Sequence, residues 1–156
     1  MGSKSLALRF LAEPTDVNFG GKVHGGMVMK WIDQGGFACA VNWCGGYAVT
    51  VYVGGIRFFK PIHIGNLVEI RAKLIHTGKT SMHIAVDVYS KKPEDAHYIH
   101  NTHCIIIFVA VDKDNNPVPV PTFFPEGEEE IRNESYAIRL MELRKGIEDE
   151  MQSYQQ

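Results

Sequence analysis

Hydrophobic and polar positions change period several times along this 156-residue chain, and each change marks an element. Leu6 to Leu11 reads as a short strand, followed by turn chemistry from Glu13 to Gly21. From about His24 to Cys44 (HGGMVMKWIDQGGFACAVNWC) β-branched residues are few and apolar positions recur at spacings of three and four. That pattern predicts one long helix, closed by Gly45-Gly46. The period then drops to two. Val49, Val51 and Val53 alternate with Thr50 and Tyr52, Gly54-Gly55 interrupts as a bulge or close approach, and the strand runs on through Ile56 to Lys60 before Pro61. Val68 to Leu74 and Met82 to Tyr89 alternate cleanly on either side of a tight turn at Gly78-Lys79. After an exposed turn at Lys91 to Asp95, Tyr98 to Val111 predicts a long strand. Its end is apolar on both faces, which places it inside a sheet. Four prolines (Pro117, Pro119, Pro121, Pro125) lead to a terminal helix from about Glu128, with Tyr136, Leu140, Leu143, Ile147 and Met151 in one apolar stripe.

This order predicts an α+β protein, a single curved antiparallel sheet with one long helix against it. Residues 1–125 form the domain and 126–156 a helical extension. One helix covers only part of one sheet face, so the other face or an open edge is expected to pair with a second subunit. Sixteen Lys+Arg against 18 Asp+Glu give a net charge of −2, which excludes a strongly basic nucleic-acid binder. The longest apolar run, Cys104 to Val111, is too short to span a bilayer, and no apolar leader precedes the first strand. Cys39, Cys44 and Cys104 show no metal-type spacing and leave an odd thiol, which suits a reducing, cytoplasmic setting.

Candidate chemistry gathers around the long helix. Gly25-Gly26 stands at its start, where free backbone N–H groups point along the axis and no side chains block approach. A carbonyl oxyanion needs such a place, although two flexible residues at a helix start look the same. With Gly35 and Gly36 the helix holds four glycines, each costing about 1 kcal/mol relative to alanine, so its backbone must approach a sheet or a ligand closely. Asp33, flanked by Trp31-Ile32 and Gly35-Gly36, is placed for a general base with a raised pKa if its surroundings are apolar. If exposed, it is a helical acid facing Lys30 or solvent. Asn18 is a turn residue whose amide is also suited to holding a water or a carbonyl. The Thr77-Gly78-Lys79-Thr80-Ser81 turn, with Lys60, Lys91 and Lys92, offers polar groups and cations to a phosphate-bearing ligand. Strand alternation puts His97 and His103 on one face and His100 on the other, and without a cysteine or carboxylate companion at ligand spacing no zinc site is expected. Nucleophile elbow, P-loop and dinucleotide fingerprint are all absent from the sequence.

Taken in order, Pro14-Thr15-Asp16-Val17-Asn18, Gly21-Lys22-Val23-His24-Gly25-Gly26, Trp31-Ile32-Asp33, Val49-Thr50-Val51, Phe58-Phe59-Lys60-Pro61-Ile62, Gly65-Asn66 and Thr77 to Met82 resemble the hotdog-fold acyl-CoA thioesterases. Within them the chain looks like the cytosolic (brain-type) acyl-CoA hydrolase branch and its small bacterial relatives, over about residues 5–120. The resemblance implies a sheet wrapped around the helix and a homodimer at minimum, with three dimers assembled. It implies an acyl-CoA substrate and no cofactor beyond the coenzyme A of substrate and product. It assigns catalysis to Asn18 and Asp33, acting across the dimer interface, with the backbone of Gly25 and Gly26 polarising the carbonyl. Substrate binding falls to His24, Thr50, Lys60, Thr77, Gly78, Lys79, Thr80 and Ser81. Asn66 stands where relatives commonly carry aspartate, and Gly54-Gly55 where they carry bulkier residues, with consequences for chain length. A hotdog hydratase or dehydratase and a non-catalytic sensor of acyl-CoA or nucleotide are the alternatives.

Overall fold

A computed structural model describes residues 2–156. Strand β1 (Ser5–Leu11) and a short 3-10 turn (Pro14–Asp16) precede helix α1 (Gly25–Cys44). Strands β2 (Tyr47–Phe58), β3 (Leu67–Thr77), β4 (Ser81–Lys91) and β5 (Ile99–Val111) follow, and helix α2 (Gly127–Tyr154) ends the chain. The strands form one antiparallel sheet in the order β1-β3-β4-β5-β2. β5 lies inside the sheet as its apolar ending predicts, while β1 and β2 are the edges.

Alternation decides what each face meets. Ile70, Ile84, Val86, Ile106 and Phe108 point to the concave face, where α1 sets Val28, Trp31, Ile32 and Cys39 against them. Two of the helix glycines are explained here. A Cβ on Gly35 would lie 2.8 Å from Ile70 Cγ2, and one on Gly36 3.0 Å from the Phe108 ring. The helix accepts their propensity cost in order to lie close to the sheet. Replacing Gly35 with Val is therefore expected to destabilise the protein by about 2 kcal/mol through overpacking, read as a lower denaturant midpoint.

Of the two places expected to receive a second subunit, the second face is partly taken by the chain itself and the open edge of β2 is left. The chain's own α2 crosses that face, packing Tyr136, Ala137 and Leu140 against Ile75, Ala85 and Ile105. The apolar stripe of α2 is split, since Leu143, Ile147 and Met151 are exposed. The proline-rich connection is held in place, with Val120 and Phe123 buried and the Trp43 Nε1–H donating to the Pro121 carbonyl at 2.9 Å.

The alternation rule fails in β5 at a bulge. His97 precedes β5, and the β4–β5 register slips between Val88↔Thr102 and Tyr89↔His100. Asn101 is the extra residue. Its side chain is buried, accepts from Ser90 Oγ and donates to the carbonyls of Lys60 and Pro61. The bulge turns His100 to the side of His103, and both rings reach Asp87 Oδ1, at 2.8 and 2.9 Å. His103 also meets the Tyr136 hydroxyl at 2.8 Å, tying the sheet to α2. Burial pushes the Asp87 pKa up, but the hydrogen bonds and charges of His103 and then His100 outweigh it, and the net pKa falls below 3.8. A depressed carboxylate stabilises the fold above its unfolded pKa and loses that contribution as pH falls through the folded value. Asp87→Asn is expected to cost about 2 kcal/mol at neutral pH. The gap between variant and wild type should narrow in urea titrations repeated as the pH falls below 3.8.

Candidate active site

The loop after the 3-10 turn is built by Asn18. Its backbone N–H donates to the Lys22 carbonyl at 2.7 Å, and its Oδ1 accepts from the Gly20 and Lys22 amides at 2.9 and 3.3 Å. Asn18 is thus a turn residue, and because the turn occupies Oδ1, the exposed Nδ2 is left free to donate. The segment is stitched to its surroundings by His24 N–H to the Asp16 carbonyl (3.0 Å) and Val23 N–H to the Ile62 carbonyl (2.8 Å), which fixes where α1 begins.

His24 is the N-cap and makes no side-chain cap hydrogen bond. Met27 and Val28 return their N–H groups to the His24 carbonyl, while those of Gly25 and Gly26 have no acceptor among the described residues. These glycines differ from Gly35 and Gly36. A Cβ on Gly26 would meet nothing within 4 Å, and one on Gly25 would only touch the Phe58 ring at 3.8 Å. Gly25 borders a cleft of about 250 Å³ with Val28, Phe58, Phe59, Lys60, Pro61 and Ile62. Its polar inner wall is Thr102, and Asn101 holds its Lys60–Pro61 rim.

Asp33 is exposed, so the apolar enclosure expected around it is not supplied by its own protomer. The reason is helical phase: α1 turns Trp31, Ile32, Gly35 and Gly36 to the sheet and Asp33-Gln34 away from it. The carboxylate does not pair with Lys30. Thr50 Oγ1 donates to Asp33 Oδ1 at 2.8 Å. Thr50 stands where β2 begins to bulge, with Val51 skipped in the pairing with β5. Eight residues of helix, about 12 Å of rise, separate Asp33 from Gly25, so the carboxylate and the free amides of one protomer do not meet at one carbonyl.

The remaining candidates divide between the two ends of the sheet. Lys60 lies at the helix-start end, where it also borders a recess of about 240 Å³ with Lys91, Lys92, His63 and His97. In that recess Lys91 Nζ donates to the Asp95 carbonyl at 2.9 Å, and Asn66 lies in the wall. The Thr77–Ser81 turn lies at the far end, about 33 Å along the strands. Thr77 is buried, and its hydroxyl accepts from the Phe123 N–H at 2.9 Å. Ser81 Oγ accepts from the Gly78 N–H at 3.2 Å, the Thr80 carbonyl accepts from the Ala110 N–H, and Lys79 is exposed. Phe58 and Phe59, quoted from the sequence as a strand end and as part of the Phe-Phe-Lys-Pro-Ile motif, line this cleft, and Asn101 behind its rim is concealed in the sequence by the bulge. The only sequence signal was a pair of aromatics set directly before Lys-Pro.

The family model of the Thioesterase superfamily matches residues 20–97, which span the helix start, Asp33, Thr50 and both basic sites. The chain belongs to the Thioesterase superfamily. It is 38% identical over 120 residues to the acyl-CoA thioester hydrolase YciA of Salmonella typhimurium, covering 74% of this chain and 90% of that one. The hexameric thioesterase y2039 of Yersinia pestis matches at 36% identity with a TM-score of 0.71, over 74% of this chain and 94% of its own. An acyl-CoA hydrolase of Staphylococcus aureus, solved with butyryl coenzyme A and coenzyme A, superposes with a TM-score of 0.88 at 25% identity, over 96% and 92% of the two chains. Single-alanine variants of that hydrolase at an asparagine, an aspartate and a threonine have also been solved, at positions separated by 15 and then 17 residues. The fold is therefore the hotdog fold, with α2 added on its convex face.

Proposed function

We propose that the protein hydrolyses acyl-CoA thioesters to the free acid and coenzyme A. The observation that carries this reading is the pairing of two unassigned chemistries on one helix. Unpaired donor groups stand at its start beside an open cleft, and an exposed carboxylate is held by Thr50 at an open sheet edge. The substrate class follows from the relatives named above, which are hydrolases of acyl-CoA. Asn18, Asp33 and Thr50 are separated by 15 and 17 residues, the spacing of the three positions replaced by alanine in the S. aureus enzyme.

The 12 Å between Asp33 and the helix start calls for a shared site. β2 is an open edge, with Val51 and Val53 exposed along it. Two such edges pairing antiparallel about a two-fold axis reverse one protomer against the other. The partner's carboxylate then approaches this protomer's helix start, and the partner's Thr77–Ser81 turn comes to the same end. Three dimers of this kind would give the hexamer that the Yersinia protein forms. At the site, the amides of Gly25 and Gly26 bind the carbonyl oxygen and stabilise the negative charge that grows on it during attack. Asn18 Nδ2 donates to the water or the thioester. Asp33 takes the proton of the attacking water, or itself attacks and forms an anhydride that water opens; in either route the C–S bond breaks and coenzyme A leaves as the thiolate, which takes up a proton.

Thiol release from acetyl-, hexanoyl- and palmitoyl-CoA by the purified protein is the direct test. Turnover with a chain-length preference is expected, and no release from any of them overturns the reading. The basic recess beside the cleft makes a further prediction. Lys91→Glu with Lys92→Glu is expected to raise KM for acyl-CoA about tenfold at constant kcat. The same variant should act normally on S-acyl-N-acetylcysteamine, which carries no phosphate. An equal change on both substrates would remove the recess from phosphate binding.

A further inference from the structure

On the convex face, with the sheet between it and α1, helix α2 leaves a second cavity of about 160 Å³ over β4, β5 and β2. Its walls are apolar: Ile105 and Ile107 from β5, Leu140 and Met141 from α2. Leu143 and Ile147, both exposed, border its mouth. Two polar groups are set into these walls. His83 on β4 is 3% exposed, and among the described residues neither of its ring nitrogens has a hydrogen-bond partner; His76 only packs edge-on against it. Burial first, then the nearby His76 and Arg144, pushes the His83 pKa down to about 4, so the ring offers one N–H and one bare nitrogen. Arg144 on α2 lies over the Tyr52 ring at 4.7 Å. Its Nε is 3.1 Å from Glu148 Oε1 but outside hydrogen-bonding geometry, which leaves that buried N–H without an acceptor.

Gly54 completes the arrangement. A Cβ there would fall 2.2 Å from the Tyr52 ring, so the glycine is what allows the ring to fold along the strand beneath the guanidinium. The ion pair with Glu148 leaves the Arg144 Nε–H without a hydrogen-bond acceptor, and the His83 ring lines the same apolar wall without a partner, so both groups still have a hydrogen bond to give. An anionic group meets both demands, and the walls require the rest of the molecule to be apolar. A cavity of about 150 Å³ is known to hold one benzene, so the apolar body has about six carbons.

We propose that this cavity is a second ligand site, taking a carboxylate that carries an apolar body of about six carbons. One carboxylate oxygen accepts from Arg144 and the other from the His83 N–H, while the chain lies against Ile105, Ile107 and Leu140. The site is separate from the cleft at the helix start and does not depend on the thioesterase reading. The acid that such a reaction releases nevertheless belongs to this class of ligand.

The test is methyl NMR on the full-length protein, labelled at Ile, Leu, Val and Met and titrated with hexanoate. Hexanoate is expected to shift the methyls of Ile105, Ile107, Leu140 and Met141, with the same shifts in Asp33→Ala. Hexylamine, with the same body and the opposite charge, is expected to bind at least tenfold more weakly, and Arg144→Gln is expected to weaken hexanoate binding at least tenfold. Shifts confined to Val28 and Ile62 at the helix start, no shifts at all, or equal binding of hexanoate and hexylamine would each overturn the proposal. If Arg144→Gln does not fold, the two probes on the wild-type protein decide it.

Discussion

Replacing Asp33 with alanine is expected to lower kcat for acyl-CoA hydrolysis by about three orders of magnitude, with KM changed only a few-fold, because general acid–base groups contribute in that range to the transition state alone. The fold is expected to be indifferent, since the side chain is exposed and its one hydrogen bond is to the equally exposed Thr50. Thr50→Val tests positioning: it leaves the carboxylate but removes the group that orients it, and a kcat loss of about tenfold is expected. Thiol release under saturating substrate, beside an unchanged denaturation curve, checks both. An Asp33→Ala protein within tenfold of wild-type kcat would take Asp33 out of the mechanism. The same variant tests the shared site. Asp33→Ala and Asn18→Ala are each expected to be inactive alone. Mixed dimers place both lesions in one site and leave the other whole, so coexpression should restore about a quarter of wild-type activity. Failure of two well-folded variants to complement would put both residues in a site within one protomer.

The second large effect is expected at Gly26. Proline is tolerated in the first turn of a helix but has no N–H, so Gly26→Pro removes one of the two unpaired donors at the helix start. Losing one oxyanion donor costs about a hundredfold or more in kcat. Gly26→Ala keeps the N–H and meets open space, so it should retain activity and gain up to about 1 kcal/mol of stability from helix propensity. The pair separates the donor from the residue. Equal losses in both variants would mean that the glycine serves by its lack of a side chain, and equal retention would mean that the amide is not used.

Much of the fold could be read from the chain because period and burial agree along most of it. The strands β3 and β4 alternate without interruption through their middles, and α1 carries its apolar residues at helical spacing. The four glycines of α1 were legible only as a cost that something must explain, and tertiary packing divides them. Gly35 and Gly36 lie against Ile70 and Phe108, while Gly25 and Gly26 face open space. Alternation misplaced His100 because a bulge at Asn101 adds one residue to β5, and pairing with β4, not local sequence, decides where a bulge falls. The surroundings of Asp33 were likewise out of reach, since its apolar neighbours in sequence turn to the sheet and leave it exposed.

What the sequence by itself determined is the list of elements, the glycine-started helix, and the spacing of Asn18, Gly25-Gly26, Asp33 and Thr50, all of them properties of short stretches of chain. Only the tertiary structure decided that Asp33 lies about 12 Å from the helix start and that the Thr77–Ser81 turn sits at the opposite end of the sheet from Lys60. It also decided that α2 closes a charged apolar cavity over the convex face. These are relations between residues far apart in sequence. They follow from strand order and register, which no local pattern encodes.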